Sequence, residues 1–287
     1  MDYLEWALLG SAASLGYHWI YDRPLLKQLA QKQSLLFQAP NKATYEHAKN
    51  AYYVYPDAKP GDVTVQGEIA QWLYAALLRN KAFTQDDYRQ LLLDAFRPGG
   101  HYHGYVESYG RQLVLEMLAA MQKISLSIKH DDDQLVGFAP YIACKAVGLD
   151  KTCAWQLAQL LTNRTIYLKA YAWLDAILES DATADKQTIL SESLLRLEGY
   201  VTERFKAAIN IKDTDVFIQD YVNTACHIDH ALPLIVHIVY HTNSFEDALA
   251  LNTAVGGASA DRGLLIGLLA GHFHKPPQSF FEYINTK

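Results

Sequence analysis

Three glycine-containing segments hold the residues that can do chemistry. The first is a Tyr-, Pro- and Lys-rich stretch from about Gln38 to Val63 that leads into a helical pattern, the second covers Pro98–Gly104, and the third covers Val255–Gly263. Loops that a rigid scaffold positions often carry binding and catalytic groups. The candidate residues in or beside these segments are Gly61, Thr64, Gln66, Glu68, His101, Tyr102, Gly256, Gly257, Ser259, Asp261 and Arg262.

The third segment is the most specific of the three. Gly256 and Gly257 end one helical pattern, and Gly263, Gly267 and Gly271 recur every four residues in the next. A helix cap followed by a small-residue face that packs closely on a neighbour would explain these glycines without a ligand. The same backbone at a helix N-terminus also suits a phosphate group.

Several side chains in these segments have two interpretations. Arg262 can hold a pyrophosphate through two parallel hydrogen bonds, or it can pair with neighbouring carboxylates. His101 and Tyr102, followed by His103 and Tyr105, suit stacking on an adenine- or nicotinamide-like ring, or they form a His-rich surface turn. The residue types leave both pairs of alternatives open.

Helical periodicity recurs along nearly the whole chain and must position these segments. Thr84 with Asp87, and Ser244 with Asp247, predict helix N-termini of the capping-box type. Alternation with period two is essentially missing, so we predict an all-α protein. Apolar residues at spacings of three and four predict amphipathic helices; the stripes are Ile69, Trp72, Leu73, Ala76 and Leu77, then Ile166, Ala170, Trp173, Leu174 and Ile177, then Leu190, Leu194, Leu197, Val201, Phe205 and Ala208.

The composition excludes several classes of protein. A chain of 287 residues with 50% hydrophobic residues can bury a large core, and we expect one domain over residues 1–287. The net charge of −6 and the pI near 6.0 argue against nucleic acid as a partner. No apolar run approaches the roughly 20 residues of a membrane-spanning helix. Secretion signals carry positively charged residues in their N-terminal region, and this chain has Asp2 and Glu5 there. We therefore expect a cytoplasmic protein with no membrane partner.

The three cysteines give no sign of a disulfide framework or a structural zinc site. Cys144, Cys153 and Cys226 have no CxxC spacing, and an odd number cannot all pair. We expect buried free thiols.

Three motifs resemble those of the ADP-ribosylglycohydrolase family. Its C-terminal signature is GGDTDTxGAxxGAxxGA, and the chain has GGASADRGLLIGLLAGH in the same register from Gly256. The family's GxxTDDT loop corresponds to Gly61 and Thr64-Val65-Gln66, and its GDALG motif to residues 12–16. The likeness extends from about Leu8 to Gly271, with the glycines retained and most of the aspartates replaced.

The resemblance implies a fold, an activity and a metal site. The fold is a compact orthogonal multi-helix bundle of the ADP-ribosylglycohydrolase type, and the activity is cleavage of an ADP-ribose glycosidic bond with two divalent ions. Hard ions such as Mg²⁺ need oxygen ligands. Thr64 and Asp261 offer suitable oxygens and Gln66 a weaker one. Because these are few ligands for two ions, we expect no cofactor. If Mg²⁺ is retained, we expect Thr64 and Asp261 to be its ligands. The positions implied as ligands are Thr64, Val65, Gln66, Ala258, Ala260 and Asp261.

The resemblance to the family and the replacement of most of its aspartates lead to two possible functions. The first is an ADP-ribosylglycohydrolase in which Glu68 and Asp261 are the catalytic carboxylates, since glycoside cleavage in other enzymes needs two suitably spaced acids. The second is a catalytically inactive relative that binds an ADP-ribose-like small molecule, an ADP-ribosylated protein or another protein partner, or serves a structural role. An open polar pocket lined by Gly61, Thr64, Gly256, Gly257 and Asp261 would favour a ligand over a purely structural role.

Overall fold

The chain forms helices because its apolar residues recur at helical spacing and can be buried on one face of each helix. The structure is a computed structural model that describes residues 2–130, 134–200 and 202–284. Those ranges contain fifteen α-helices and no β-strand, and none of the helices is long and apolar enough to cross a membrane. In chain order, α1 to α15 span Asp2–Ser14, Arg23–Ala30, Lys42–His47, Val65–Arg79, Gln85–Phe96, Ser108–Met121, Phe138–Ala146, Lys151–Ala158, Ile166–Leu178, Lys186–Ser193, Thr202–Asn210, Thr214–Asp220, Ile228–His241, Phe245–Val255 and Ser259–Phe273.

Helices α1 and α15 lie at the centre of the molecule. Residues Ser259–Gly271 of α15 are all buried, and so is the second half of α1. Helices α4, α7 and α14 pack around α1, and α13 packs on α15. A helix that is apolar on every side is stable in water only when other helices cover all of its faces. One cluster of buried hydrophobic residues extends from Leu4 to Ala270.

Glycines allow α1 and α15 to cross at very short range. A Cβ on Gly10 would lie 1.9 Å from the carbonyl oxygen of Gly263, and one on Gly263 would lie 2.2 Å from that of Gly10. A Cβ on Gly267 would lie 2.1 Å from the carbonyl oxygen of Trp6. The close packing predicted from the spacing of Gly263, Gly267 and Gly271 is confirmed.

Most predicted helices and caps are confirmed. The first two apolar stripes lie in α4 and α9. Thr84 and Asp87 form a reciprocal capping box at the start of α5, and the Ser244 side chain accepts a hydrogen bond from the Asp247 backbone N–H at the start of α14. These side chains satisfy backbone donors that a helix N-terminus leaves unpaired.

The single helix predicted across residues 190–208 is wrong. Helix α10 ends at Ser193, residues Leu194–Leu197 form a 3₁₀ turn, and α11 begins at Thr202. Gly199 has a φ of +77°, a left-handed conformation that a right-handed helix does not contain. Val201 lies outside the described residues.

Helix α13 tolerates a proline in its interior because α11 replaces the missing donor. Pro233 has no N–H to bond the carbonyl of Asp229 one turn earlier. Nη1 of Arg204, on α11, donates to this carbonyl at 3.1 Å. The two helices are therefore joined at the point where α13 lacks its own hydrogen bond.

Candidate functional site

The N-termini of α4 and α15 meet inside the molecule. Thr64 is the residue that caps α4, and Asp261 lies in the first turn of α15. Their exposed fractions are 0% and 1%. Among the described residues no group forms a hydrogen bond of normal geometry with either Asp261 carboxylate oxygen, although the Thr64 hydroxyl is near enough to stabilise the charged carboxylate. Burial raises the pKa of Asp261 to about 7, and the Thr64 hydroxyl and the Arg262 charge oppose this rise.

His18, which follows α1, faces the same carboxyl group. Its Nε2 lies 3.6 Å from Oδ2 of Asp261, and its Nδ1 accepts a hydrogen bond from the Ala260 backbone N–H at 3.1 Å. Because Nδ1 accepts, the proton of the neutral ring is on Nε2 and is directed towards Asp261. Burial, reinforced by the Arg262 charge, lowers the pKa of His18 to about 3. The imidazole is therefore neutral at neutral pH.

Arg262 is completely buried and binds backbone carbonyls. Nη1 donates to the carbonyl oxygen of Thr224 at 2.8 Å, and Nη2 donates to that of Gly256 at 2.6 Å. Burial lowers its pKa to about 10, which leaves the guanidinium charged at neutral pH. The side chain thus ties the start of α15 to two loops.

Gly256 and Gly257 bring separate backbone segments together. Their φ angles are +73° and +64°, and a Cβ would lie 2.4 Å from the Ile20 carbonyl oxygen at the first and 2.1 Å from the Thr224 carbonyl oxygen at the second. Gly257 accepts from the Trp19 N–H and donates to the Ile20 carbonyl, both at 2.7 Å. These glycines hold the segment after α1 against the start of α15.

Three further predicted residues also lie in tight packing. A Cβ on Gly61, where φ is +99°, would lie 1.7 Å from a main-chain oxygen near the C-terminus. Gln66 is buried and its Nε2 donates to the carbonyl of Gln134 at 2.7 Å, while Oγ of buried Ser259 donates to the carbonyl of Ser14 at 3.4 Å. All three residues therefore make contacts within the packed interior.

An open cleft of about 620 Å³ lies beside this buried group. Among the described residues that line it there is no Lys or Arg, and the predicted residues Glu68, His101 and Tyr102 are all present. Its lining comes from residues 54–58, from the region of Asp62 to Trp72, and from residues 101–105. The structure therefore brings three predicted residues to a cleft. Its lining includes none of the five residues from which the sequence predicts an open pocket, which are Gly61, Thr64, Gly256, Gly257 and Asp261.

Tyr55 connects the cleft with the buried group. Its side chain lines the cleft, and its hydroxyl accepts a hydrogen bond from the Val65 backbone N–H at 3.3 Å. Its ring lies 6.0 Å from that of His18, and the Asp261 charge contributes to the raised pKa of its hydroxyl. Burial is the main cause of that raised pKa.

Sequence reasoning did not single out His18, Tyr55 or Asp57. His18 falls in the aromatic segment of residues 17–21, which suits the lining of a base pocket but is more typical of core packing. Tyr55 and Asp57 fall in a long irregular stretch. The place of His18 in the aromatic segment is its available signal, because the glycine spacing of α15 predicts a close helix neighbour without specifying which helix it is. No comparable signal marks Tyr55 or Asp57.

Comparison with known proteins identifies the fold. No family model matches this chain, and no curated protein matches it in sequence. A solved structure described as an ADP-ribosylglycohydrolase-related protein complex is similar to it with a TM-score of 0.65 and 16% sequence identity, over 99% of this chain and 92% of that chain. The chain therefore has an all-α fold like that of this ADP-ribosylglycohydrolase-related protein.

The side chains at the positions implied as metal ligands do not fit two divalent ions. Val65, Ala258 and Ala260 have no side-chain oxygen, which leaves Asp261 as the single carboxylate. In the described parts of the chain, no three His, Cys, Asp or Glu side chains are grouped so that they could hold a metal ion. Two buried dications beside one carboxylate would lack both ligands and compensating charge.

Proposed function

We propose that this chain is a non-hydrolytic, ligand-binding protein, and that its cleft binds the ring-bearing part of an ADP-ribose-like molecule. The observation that carries the proposal is the burial of Asp261 and Thr64 beside an open cleft that they do not line. An acid, a base or a metal ligand must come within hydrogen-bond reach of the substrate to act on it. The Asp261 carboxyl group is 1% exposed and does not line the cleft, so a ligand in the cleft does not contact it in this arrangement.

The different surroundings of the two candidate acids support binding without hydrolysis. Cleavage by a pair of carboxylates requires both acids to flank one glycosidic bond. Glu68 lines the cleft, whereas Asp261 lies in the buried group with His18 and Thr64. In the third segment, Gly256 and Arg262 are both engaged in backbone contacts.

The aromatic lining supports a ring-bearing ligand. Trp72 has His101 at 5.1 Å and Tyr102 at 5.6 Å between ring centroids, both edge-on. Tyr55 and Tyr105 also line the cleft, with 6.4 Å between their ring centroids. Rigid aromatic surfaces with a few polar groups are typical of pockets for bases and sugars.

The charges in the cleft favour the nucleoside part of such a ligand over its pyrophosphate. Asp57, Asp62 and Glu68 are among the residues that line the cleft, and among the described lining residues there is no Lys or Arg to pair with phosphate oxygens. Arg111 does not line the cleft but donates to Oη of the lining residue Tyr105 at 3.3 Å. Like charges in a cleft disfavour an anion. We therefore expect adenosine to bind at least as tightly as ADP-ribose.

Calorimetric titration tests the proposal. Adenosine and ADP-ribose are titrated into the wild-type protein with Mg²⁺ and with chelator, and into His101→Ala, Asp261→Asn and His47→Ala. We expect binding that is indifferent to Mg²⁺, weakened about tenfold in His101→Ala because a ring contact is lost, and nearly unchanged in Asp261→Asn. His47 is an exposed histidine outside the cleft and serves as the matched control.

Two results would contradict the proposal. Binding that requires both Mg²⁺ and Asp261, or release of ADP-ribose from a modified arginine or serine, would indicate a metal-dependent hydrolase. If neither adenosine nor ADP-ribose bound, the cleft would not be a site for these ligands, and a structural or partner-binding role would remain.

A further inference from the structure

Two of the three cysteines lie in contact with each other. The Sγ atoms of Cys144, near the end of α7, and Cys153, in the first turn of α8, are 3.8 Å apart. The sequence predicts buried free thiols; Cys144 is buried, but Cys153 and Cys226 are half-buried. Thiols at van der Waals distance need little side-chain rotation to reach the roughly 2.05 Å of a disulfide bond.

The two thiols differ in their access to solvent. Cys153 lines an open pocket of about 490 Å³, whereas Cys144 is 1% exposed. Burial, with the nearby Cys153 as the second cause, raises the pKa of the Cys144 thiol well above its ordinary value. A small disulfide can therefore reach Cys153 from solvent but cannot reach Cys144.

We propose that Cys144 and Cys153 are a redox-active dithiol, in which Cys153 is the entry thiol and Cys144 the resolving thiol, oxidised by exchange with a small aliphatic disulfide. In the first step the Cys153 thiolate attacks one sulfur of that disulfide, and the other sulfur leaves as a thiolate that takes up a proton. In the second step Cys144 loses its proton and attacks Sγ of Cys153. The second small thiol leaves, so the protein loses two hydrogen atoms and the small disulfide is reduced to two thiols.

The two cysteines lie on consecutive helices of the chain. The two helices are joined by the short connection at residues 147–150, in which Gly148 has a φ of +76° and no atom within 4 Å of where a Cβ would lie. Helices α7 and α8 already pack on each other. The bond would close a small loop between neighbours that are already packed, and disulfides of this kind inside cells are usually transient and regulatory.

The test uses the full-length Cys226→Ser variant, which contains only the proposed pair, treated with oxidised glutathione. We expect loss of both titratable thiols, an intact mass reduced by two hydrogen atoms, a Cys144–Cys153 linked peptide after digestion, and full reversal by dithiothreitol. Two further variants separate the roles of the thiols. With Cys144→Ser added, a glutathione adduct should persist on Cys153; with Cys153→Ser added, the remaining Cys144 should react at least about tenfold more slowly than Cys153 does.

Three outcomes would overturn the proposal. A glutathione adduct that persists in the Cys226→Ser protein would show that Cys144 does not resolve it. Disulfide-linked dimers would show that Cys153 pairs between molecules. A protein in which both thiols remain unmodified, while unfolding in denaturant makes them react, would show that the pocket does not admit the disulfide.

Discussion

Asp261 and His18 are buried together without forming a charged pair. Taking either charge out of water is costly, and each group responds by favouring its neutral form. Burial raises the pKa of Asp261 to about 7 and lowers that of His18 to about 3. The Nε2–H of neutral His18 is directed at the carboxyl group from 3.6 Å, and the Thr64 hydroxyl and the Arg262 charge favour the carboxylate.

Replacement of Asp261 by Asn should therefore change how stability depends on pH. Asp261 ionises near 3.8 in the unfolded chain and near 7 in the folded protein, so folding takes up a proton between these values. Wild-type stability loses up to about 1.4 kcal/mol per pH unit from this group as pH rises from about 4 to about 7. The asparagine variant has no such loss, so its stability relative to wild type should increase across this range and level off above it.

Urea denaturation at several pH values between 4.5 and 8 measures this difference. The lowered pKa of His18 makes stability rise with pH between about 3 and 6.5, and this contribution largely cancels in the comparison because both proteins retain His18. Asp94→Asn, at a half-exposed position on α5, makes the same change of net charge and is the control. A difference that stays flat or decreases with pH would contradict the burial assigned to the Asp261 carboxyl group.

The residue types of the site could be predicted from the sequence, but their burial could not. Thr64, Asp261 and Arg262 are marked by the glycines around them, and the structure does place them at helix starts. Whether a helix start is open or covered depends on distant segments. Here the covering groups are Tyr55, from an irregular stretch, and His18, from the segment after α1, and neither has a pattern that specifies its partner.

At the scale of elements, the crossing of α1 and α15 determines the position of the whole buried group. Gly267→Ala tests this crossing, because the added Cβ would lie 2.1 Å from the main-chain oxygen of Trp6 and backbone cannot move aside cheaply. Alanine would gain up to about 1 kcal/mol in helix propensity. Overpacking should outweigh that gain and leave a net loss of about 2 kcal/mol in unfolding free energy, measured by urea denaturation.

Gly148→Ala is the matched control for this prediction. Gly148 has open space around it but a φ of +76°, so alanine there should cost about 1 kcal/mol through backbone strain alone. An unchanged or increased stability of Gly267→Ala would mean that α1 and α15 can separate without cost, and the close crossing would not be required.

The bond from Arg204 to the Asp229 carbonyl gives a second prediction at this scale. Arg204→Met should destabilise the protein by about 1 kcal/mol, because Pro233 leaves that carbonyl without its helical donor. In a Pro233→Ala background the helix supplies its own N–H, and the same substitution should cost less. A double-mutant cycle measures the coupling; equal losses in both backgrounds would show that Arg204 acts through other contacts.

Periodicity predicted the helices well and one of their boundaries poorly. The stripes of α4 and α9 each fit within a single helix and contain neither Gly nor Pro between their apolar positions, so their identity needs little tertiary information. The stripe over residues 190–208 continues in register through Gly199, and a single glycine inside a helical pattern is compatible with either a helix or a turn. The left-handed φ at Gly199 depends on packing that the stripe does not encode.

At the scale of the whole molecule, the arrangement of the helices is shared with a protein of very different sequence. A TM-score of 0.65 over 99% of the chain accompanies 16% sequence identity, so the helix arrangement does not depend on most individual side chains. The glycines that set close backbone approaches serve the arrangement itself, as at Gly256 and Gly263. Side-chain oxygens that bind a metal ion are needed for a functional site, and the same fold can form without them.

The net charge of −6 and the acidic cleft make one last prediction, about ionic strength. Raising salt from about 10 mM to about 150 mM shortens the screening length from about 30 Å to about 8 Å. Repulsion of ADP-ribose should then weaken and its affinity rise roughly threefold, while that of uncharged adenosine should change little. Asp57→Asn should reduce the salt effect on ADP-ribose, whereas Asp94→Asn, outside the cleft, should not. An affinity for ADP-ribose that falls with salt would mean that cationic groups attract its pyrophosphate, and the nucleoside part would not be what the cleft selects.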